Sequence, residues 1–218
     1  HSVFNSTATL VWLPFSNLLV KLACLTIRDD KVDEVSREDQ EFMILESRFL
    51  EKPAFAVEQG RNAAKHMEQD SRKILDIALG LIYSYSDEQA ERVQKLESKI
   101  DRYEDELGTY LVKLNNKDLS ERDSHSVSIM LHCIGDFERI SDHAVNIMES
   151  AQELHEKNIS FSPQARNELQ VLIAVVSRIV DTAYQVFDKQ DLNLTRDVEP
   201  LEEIVDELSK ELKRRHVN

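Results

Sequence analysis

Two segments set 105 residues apart carry one pattern of apolar side chains, and that pattern fits only a helix packed along one side. In the first, Val93, Leu96, Ile100, Tyr103 and Leu107 recur at alternating spacings of three and four, the period of one face of an α-helix. Their counterparts Val198, Leu201, Val205, Leu208 and Leu212 are all apolar. The register also holds upstream, where Met67, Ile74, Ala78 and Leu81 correspond to Leu172, Ile179, Ala183 and Val186. A repeat unit that cannot cover its own apolar face implies stacked helices. With 4 Gly and 4 Pro in 218 residues, little else interrupts this period. The fold class expected is all-α.

Breaker and capping residues divide the chain. Residues 28–45 are charged without a clean period and read as a linker with some helical tendency. Pro53 opens a helix to about Tyr83, and Ser86 with Gln89 has the spacing of a capping box for a second helix ending near Leu114. NNKDLS is a loop, and Ser120 with Asp123 caps a third helix to about Lys157. Ser162–Pro163 opens a fourth, to about Phe187, and a fifth begins near Val198, with Pro200 acceptable only in its first turn. The domains expected are an apolar segment at 1–30, a linker at 31–52, a first three-helix bundle at 53–157 and a partial second bundle at 158–218 that lacks its third helix.

The N-terminal stretch is chemically distinct. From Ala8 to Ile27 the chain reads ATLVWLPFSNLLVKLACLTI, with Lys21 the single charge. Twenty helical residues span about 30 Å, the hydrocarbon thickness of a bilayer. HSVFNST before it lacks the basic leader of a signal peptide. A membrane segment in a longer parent polypeptide is expected, with a buried core helix as the alternative. Lys21, Arg28 and Lys31 point its C-terminal end toward the cytoplasm.

Charge restricts function. Lys+Arg 27 against Asp+Glu 41 gives a net charge of -14, the wrong sign for nucleic acid. Cys24 and Cys133 make neither a disulfide framework nor a thiolate metal site. The repeat preserves acids as well as apolar positions: Glu97 and Asp101 correspond to Glu202 and Asp206, each one residue past a seam position. On the third helix Ile134, Phe137, Ser141, Ala144 and Met148 form a candidate buried stripe. Glu138, Asp142 and Asn146 lie on the stripe beside it.

Like charges four residues apart disfavour a helix by a few tenths of a kcal/mol, and most such pairs simply face solvent. Here, however, the pairs Glu97/Asp101 and Glu138/Asp142 sit on consecutive helices, and antiparallel neighbours lie about 8–10 Å apart. Four carboxylates brought together must protonate, stay solvated or bind cations. All-oxygen ligands suit Mg, Ca, Mn or Fe. His143 reads as a surface residue, and Arg139 as neutralising Asp136 or Asp142. No Glu-x-x-His pair of the di-iron bundles, phosphate loop, nucleophile elbow or His-x-x-x-His zinc pair occurs, so no enzymatic activity is expected.

The runs ESKID and ERISDHAVNI resemble the two acidic metal motifs of PhoU-like proteins, and EEIVD resembles the first motif of a second repeat. HSVFN followed by TLVWLPF is similar to the last membrane segment of bacterial sodium/phosphate cotransporters that carry a C-terminal PhoU-like domain. LESRFLEKPAFAVEQ is similar to the junction that precedes it. The resemblance implies tandem three-helix bundles and a regulatory cytoplasmic domain at the cell membrane. It also implies metal at Glu97, Asp101, Glu138 and Asp142, with Asn146, Glu202 and Asp206 as further candidates. The metal would be iron, zinc, manganese or magnesium. The partners implied are the transporter portion of the same polypeptide and a second copy in a homodimer. The alternatives are a free-standing soluble regulator of phosphate signalling and a carboxylate-bridged metalloenzyme.

Overall fold

The computed structural model describes residues 42–216. The chain divides into two compact units, His1–Met43 and Ile44–Asn218, and all the helices below belong to the second. The expected apolar helix at Ala8–Ile27 and the first half of the linker expected at 31–52 lie outside the described residues. The described end of that linker is helical, with a 3-10 turn at Ser47–Glu51 that buries Leu50.

Five α-helices follow: α1 Pro53–Leu81, α2 Asp87–Asn115, α3 Glu121–Glu156, α4 Pro163–Lys189 and α5 Val198–His216. No strand occurs among the described residues. Helix starts follow the local chemistry. Ser120 Oγ accepts from the Asp123 amide at 3.2 Å and donates to its carboxylate at 2.8 Å. Ser162 Oγ accepts from the Ala165 amide at 3.1 Å, just before Pro163. Ser86 departs from expectation: it precedes α2, yet its side chain makes no capping bond. Asp87 and Glu88 in the first turn place negative charge where the helix dipole favours it. At its other end α4 stops at Gln190, whose φ of 54° is left-handed and turns the chain toward α5.

α1, α2 and α3 pack against one another as a three-helix bundle. All five seam residues of α2 and all five of the α3 stripe are buried. Gly60 brings α1 close to α2: a Cβ there would lie 3.0 Å from Leu111 Cδ2. α4 and α5 form a hairpin, and the C-terminal half of α4 rests on the bundle. Tyr184, the buried residue of α4, makes that contact. Ser71 Oγ donates its one proton to the Phe137 carbonyl at 3.1 Å, so the Tyr184 hydroxyl donates to Ser71, 3.0 Å away. The Phe137 ring meets those of Tyr184 and Phe187, with centroids 5.8 and 5.2 Å apart. Arg72–Asp181 and Lys65–Asp188, each at 2.6 Å, flank this contact. No third helix accompanies α4 and α5 among the described residues.

Candidate metal centre

The acidic residues reach their places through helix packing. Glu97 and Asp101 each follow a buried seam residue of α2, Leu96 and Ile100, so they emerge at the edge of the contact with α3. Glu138 and Asp142 follow Phe137 and Ser141 of α3 in the same way. Packing the two seams together therefore brings the two acidic edges together. One carboxylate oxygen from each of Glu97, Asp101 and Asp142 lies within 4.8 Å of the others. Glu138 adjoins this trio, close enough to Asp142 and Asp101 for both to act on its ionisation.

The electrostatics are those of uncompensated repulsion. Burial, then the charge of Asp101, pushes the Glu97 carboxyl above the usual carboxylate range, with Ser98 acting in the opposite direction from 3.2 Å. Burial raises Asp101 as well, followed by Asp142 and Asp105. Glu138 is raised by burial, then by Asp142 and Asp101. No Lys or Arg forms an ion pair with Glu97, Asp101, Glu138 or Asp142 among the described residues. Arg139 in particular does not neutralise Asp136 or Asp142 as the sequence suggests. Such a donor set fits a hard cation, which carboxylate oxygens hold and which would offset the repulsion. Asp101 and Asp142 are exposed and Glu97 is half-buried, so an ion here would sit on the surface, open to water.

The remaining candidates lie apart. Asn146 and His143 on α3 are exposed and do not belong to the trio, and the Asn146 carbonyl accepts a bond from Ser150 at 2.8 Å. Glu202 and Asp206 occupy the matching positions on α5, exposed, and among the described residues no helix takes beside α5 the place that α3 takes beside α2. Sequence reading missed two contributors: Asp105, which raises Asp101, and Glu104, which raises Glu138. Asp105 stands four residues after Asp101 and continues the same helical edge, a signal visible in the spacing. It also missed a second ionic group at the α1–α4 contact. There Glu68 is only 8% exposed, and burial, then Asp188, raises its carboxyl, opposed by Arg72 and Lys65.

Residues 64–151 match the family model of the PhoU domain. That stretch takes in the C-terminal part of α1, the whole of α2 and all but the end of α3. Comparison with curated proteins and with solved structures gives no match. Over that stretch, the three-helix bundle bearing the acidic cluster is similar to a PhoU domain.

Proposed function

We propose that this chain is the metal-binding regulatory domain of a sodium-dependent phosphate transporter, and that metal held by Glu97, Asp101, Glu138 and Asp142 couples it to phosphate uptake. The observation that carries the reading is the convergence of three carboxylates, with no ion-paired basic side chain among the described residues, at the α2–α3 edge of a bundle similar to a PhoU domain. The PhoU family is regulatory and phosphate-related, which supports a role in controlling uptake rather than in catalysis. The attachment to a membrane portion rests on the Ala8–Ile27 tract and on the junction LESRFLEKPAFAVEQ. α4 is also long and apolar enough to cross a bilayer, though core helices pass the same test. In this reading the helical unit lies on the cytoplasmic side of the cell membrane. A cation tying α2 to α3 converts metal occupancy into rigidity of the bundle surface, which the transporter portion can sense.

The experiment is sodium-driven phosphate uptake in cells expressing the parent gene, as wild type and as Asp101→Ala/Asp142→Ala, with fractionation of the same cells. The reading expects the protein in the membrane fraction and uptake that no longer responds to phosphate supply in the variant. A soluble protein would favour the free-standing regulator, and unchanged regulation at equal expression would overturn the role given to the cluster.

A further inference from the structure

The end of the bundle where α1 and α3 stop forms a cavity of about 180 Å³. Its wall comes from the last turn of α1, the turn after it with Tyr83 and Tyr85, the last turns of α3, the α3–α4 turn, and Arg166 in the first turn of α4. The backbone fixes this wall. At the end of α3 the Asn158 amide donates to the His155 carbonyl and the Ile159 amide to the Leu154 carbonyl, at 3.0 and 2.9 Å. Asn158 takes the left-handed φ of 53° that such a helix stop requires. Ser162 then caps α4, so only Ile159, Ser160 and Phe161 cross between two anchored helix ends. The cavity is therefore built into the fold, as small-molecule sites usually are. Most residues on its wall are apolar or aromatic, and two of them, Ile159 and Phe161, remain 55% and 41% exposed at the rim.

The polar groups on this wall are few and differ from one side to the other. The Tyr83 hydroxyl is buried and has no hydrogen-bond partner, an arrangement that native folds rarely leave without a use. Arg166 holds its guanidinium over the Tyr83 ring, with Cζ 5.2 Å from the centroid. Although the chain carries a net charge of -14, Arg166 forms no ion pair among the described residues. The Tyr85 ring stacks on that of His155, with centroids 4.8 Å apart. Burial, then Asp87 and Glu156, raises the Tyr85 hydroxyl above its usual range, so acids crowd that side. Negative charge on a ligand is favoured beside Tyr83 and Arg166 and repelled beside Tyr85.

We propose that this cavity binds a small carboxylate with a compact aromatic body, held at its charged end by Arg166 and the Tyr83 hydroxyl. A guanidinium offers a carboxylate two parallel hydrogen bonds, and the tyrosine hydroxyl donates a third. Size agrees, because an apolar cavity of about 150 Å³ takes benzene, and this one admits a ring with its carboxylate. Inorganic phosphate suits the site less well, since it would give up its water for one guanidinium among largely apolar and aromatic residues. A ligand here touches α1, α3 and α4 together and fastens the start of α4 to the bundle. The site lies roughly 20 Å along α3 from Asp142 and does not depend on the reading of the acidic cluster.

The test is fluorine NMR of 4-fluorobenzoate titrated with the full chain in a non-ionic detergent, with the detergent alone as blank. Wild type should bind with a Kd of about 1 mM or tighter, as a ligand of about ten heavy atoms allows. The uncharged analogue 4-fluorobenzamide should bind about tenfold more weakly. Arg166→Gln, an exposed substitution, should lose about tenfold for the acid and little for the amide. Tyr83→Phe should weaken the acid about fivefold while melting no lower than wild type, because it deletes an unpaired buried hydroxyl. Ser160→Trp, at the exposed rim, should block both ligands with helix content unchanged by circular dichroism. Absence of binding by wild type would overturn the proposal, as would equal affinity for acid and amide, a comparison that needs no variant. Full-strength binding of the acid by Arg166→Gln, Tyr83→Phe or Ser160→Trp would overturn it too. Displacement of 4-fluorobenzoate by an equal concentration of inorganic phosphate would make the cavity a phosphate site and overturn the ligand class.

Discussion

Asp101 is where the chemistry of this surface is concentrated. Burial, Asp142 and Asp105 all raise its carboxyl, so the folded state prefers the protonated form more than the unfolded chain does. Its contribution to stability is therefore fully present below the ordinary carboxylate range and lost as pH rises through the raised value. Glu97 and Glu138, both raised, act with the same sign. Metal-free protein should gain melting temperature from this cluster as pH falls from neutrality toward the raised carboxylates. The difference between wild type and Asp101→Ala/Asp142→Ala, followed by calorimetry across pH, isolates the effect. The variant should melt about 1–3 °C higher than metal-free wild type at pH 7, from a few tenths of a kcal/mol per like-charge pair. That gap should close on acidification, and a gap independent of pH would contradict the assignment. Tyr184 is the second informative residue. Tyr184→Phe leaves the Ser71 hydroxyl without its donor in a buried site and should cost about 1–2 kcal/mol in chemical denaturation. No loss would mean that the ring contacts and the flanking ion pairs hold α4 on the bundle without that hydrogen bond.

Among the helices, the repeat gives paired positions whose environments differ. Leu107 is 0% exposed between α1, α2 and α3, whereas Leu212 is only partly covered on α5. Leu107→Ala should cost about 2–5 kcal/mol by loss of contacts and creation of a cavity. Leu212→Ala should cost less than half as much in dilute monomer, read from urea midpoints at unchanged m-value. Equal costs would mean that the second seam is covered. The helices themselves were legible because their signals are local. The three-four spacing, Pro53, the Ser120 cap and the Ser162–Pro163 start each fix one end or one face within a few residues. Ser86 shows the limit, since the right residue type preceded the helix without making the capping bond. The site was legible in part for the same reason: a carboxylate one residue past a seam position stands at the edge of a contact. Left unreadable were relations between distant segments, such as the Ser71–Tyr184 bond and the Lys99–Asp70 pair at 2.8 Å, which no spacing encodes.

For the whole molecule, the acidic excess and the PhoU-like bundle fit together. A chain of net charge -14 already repels itself, and an all-carboxylate cluster at a helix–helix edge adds to that cost unless a cation offsets it. Stability, charge and regulation would then meet in one variable, the metal occupancy of the α2–α3 edge. The second repeat acts as an internal control. Glu202 and Asp206 have the same spacing but no acidic helix beside them among the described residues, so their replacement should leave metal-dependent stabilisation largely intact. The most direct measurement is the thermal shift of metal-stripped protein titrated with Mg, Mn, Fe or Zn, with elemental analysis of the loaded samples alongside. At about a hundredfold excess over Kd, linkage gives wild type about 2.7 kcal/mol, a rise of roughly 5–10 °C. The account predicts that rise in wild type and in Glu202→Ala/Asp206→Ala, together with its disappearance and loss of bound metal in Asp101→Ala/Asp142→Ala. Equal shifts and equal metal content in wild type and Asp101→Ala/Asp142→Ala would contradict it, leaving the acidic edge as an ordinary solvated surface.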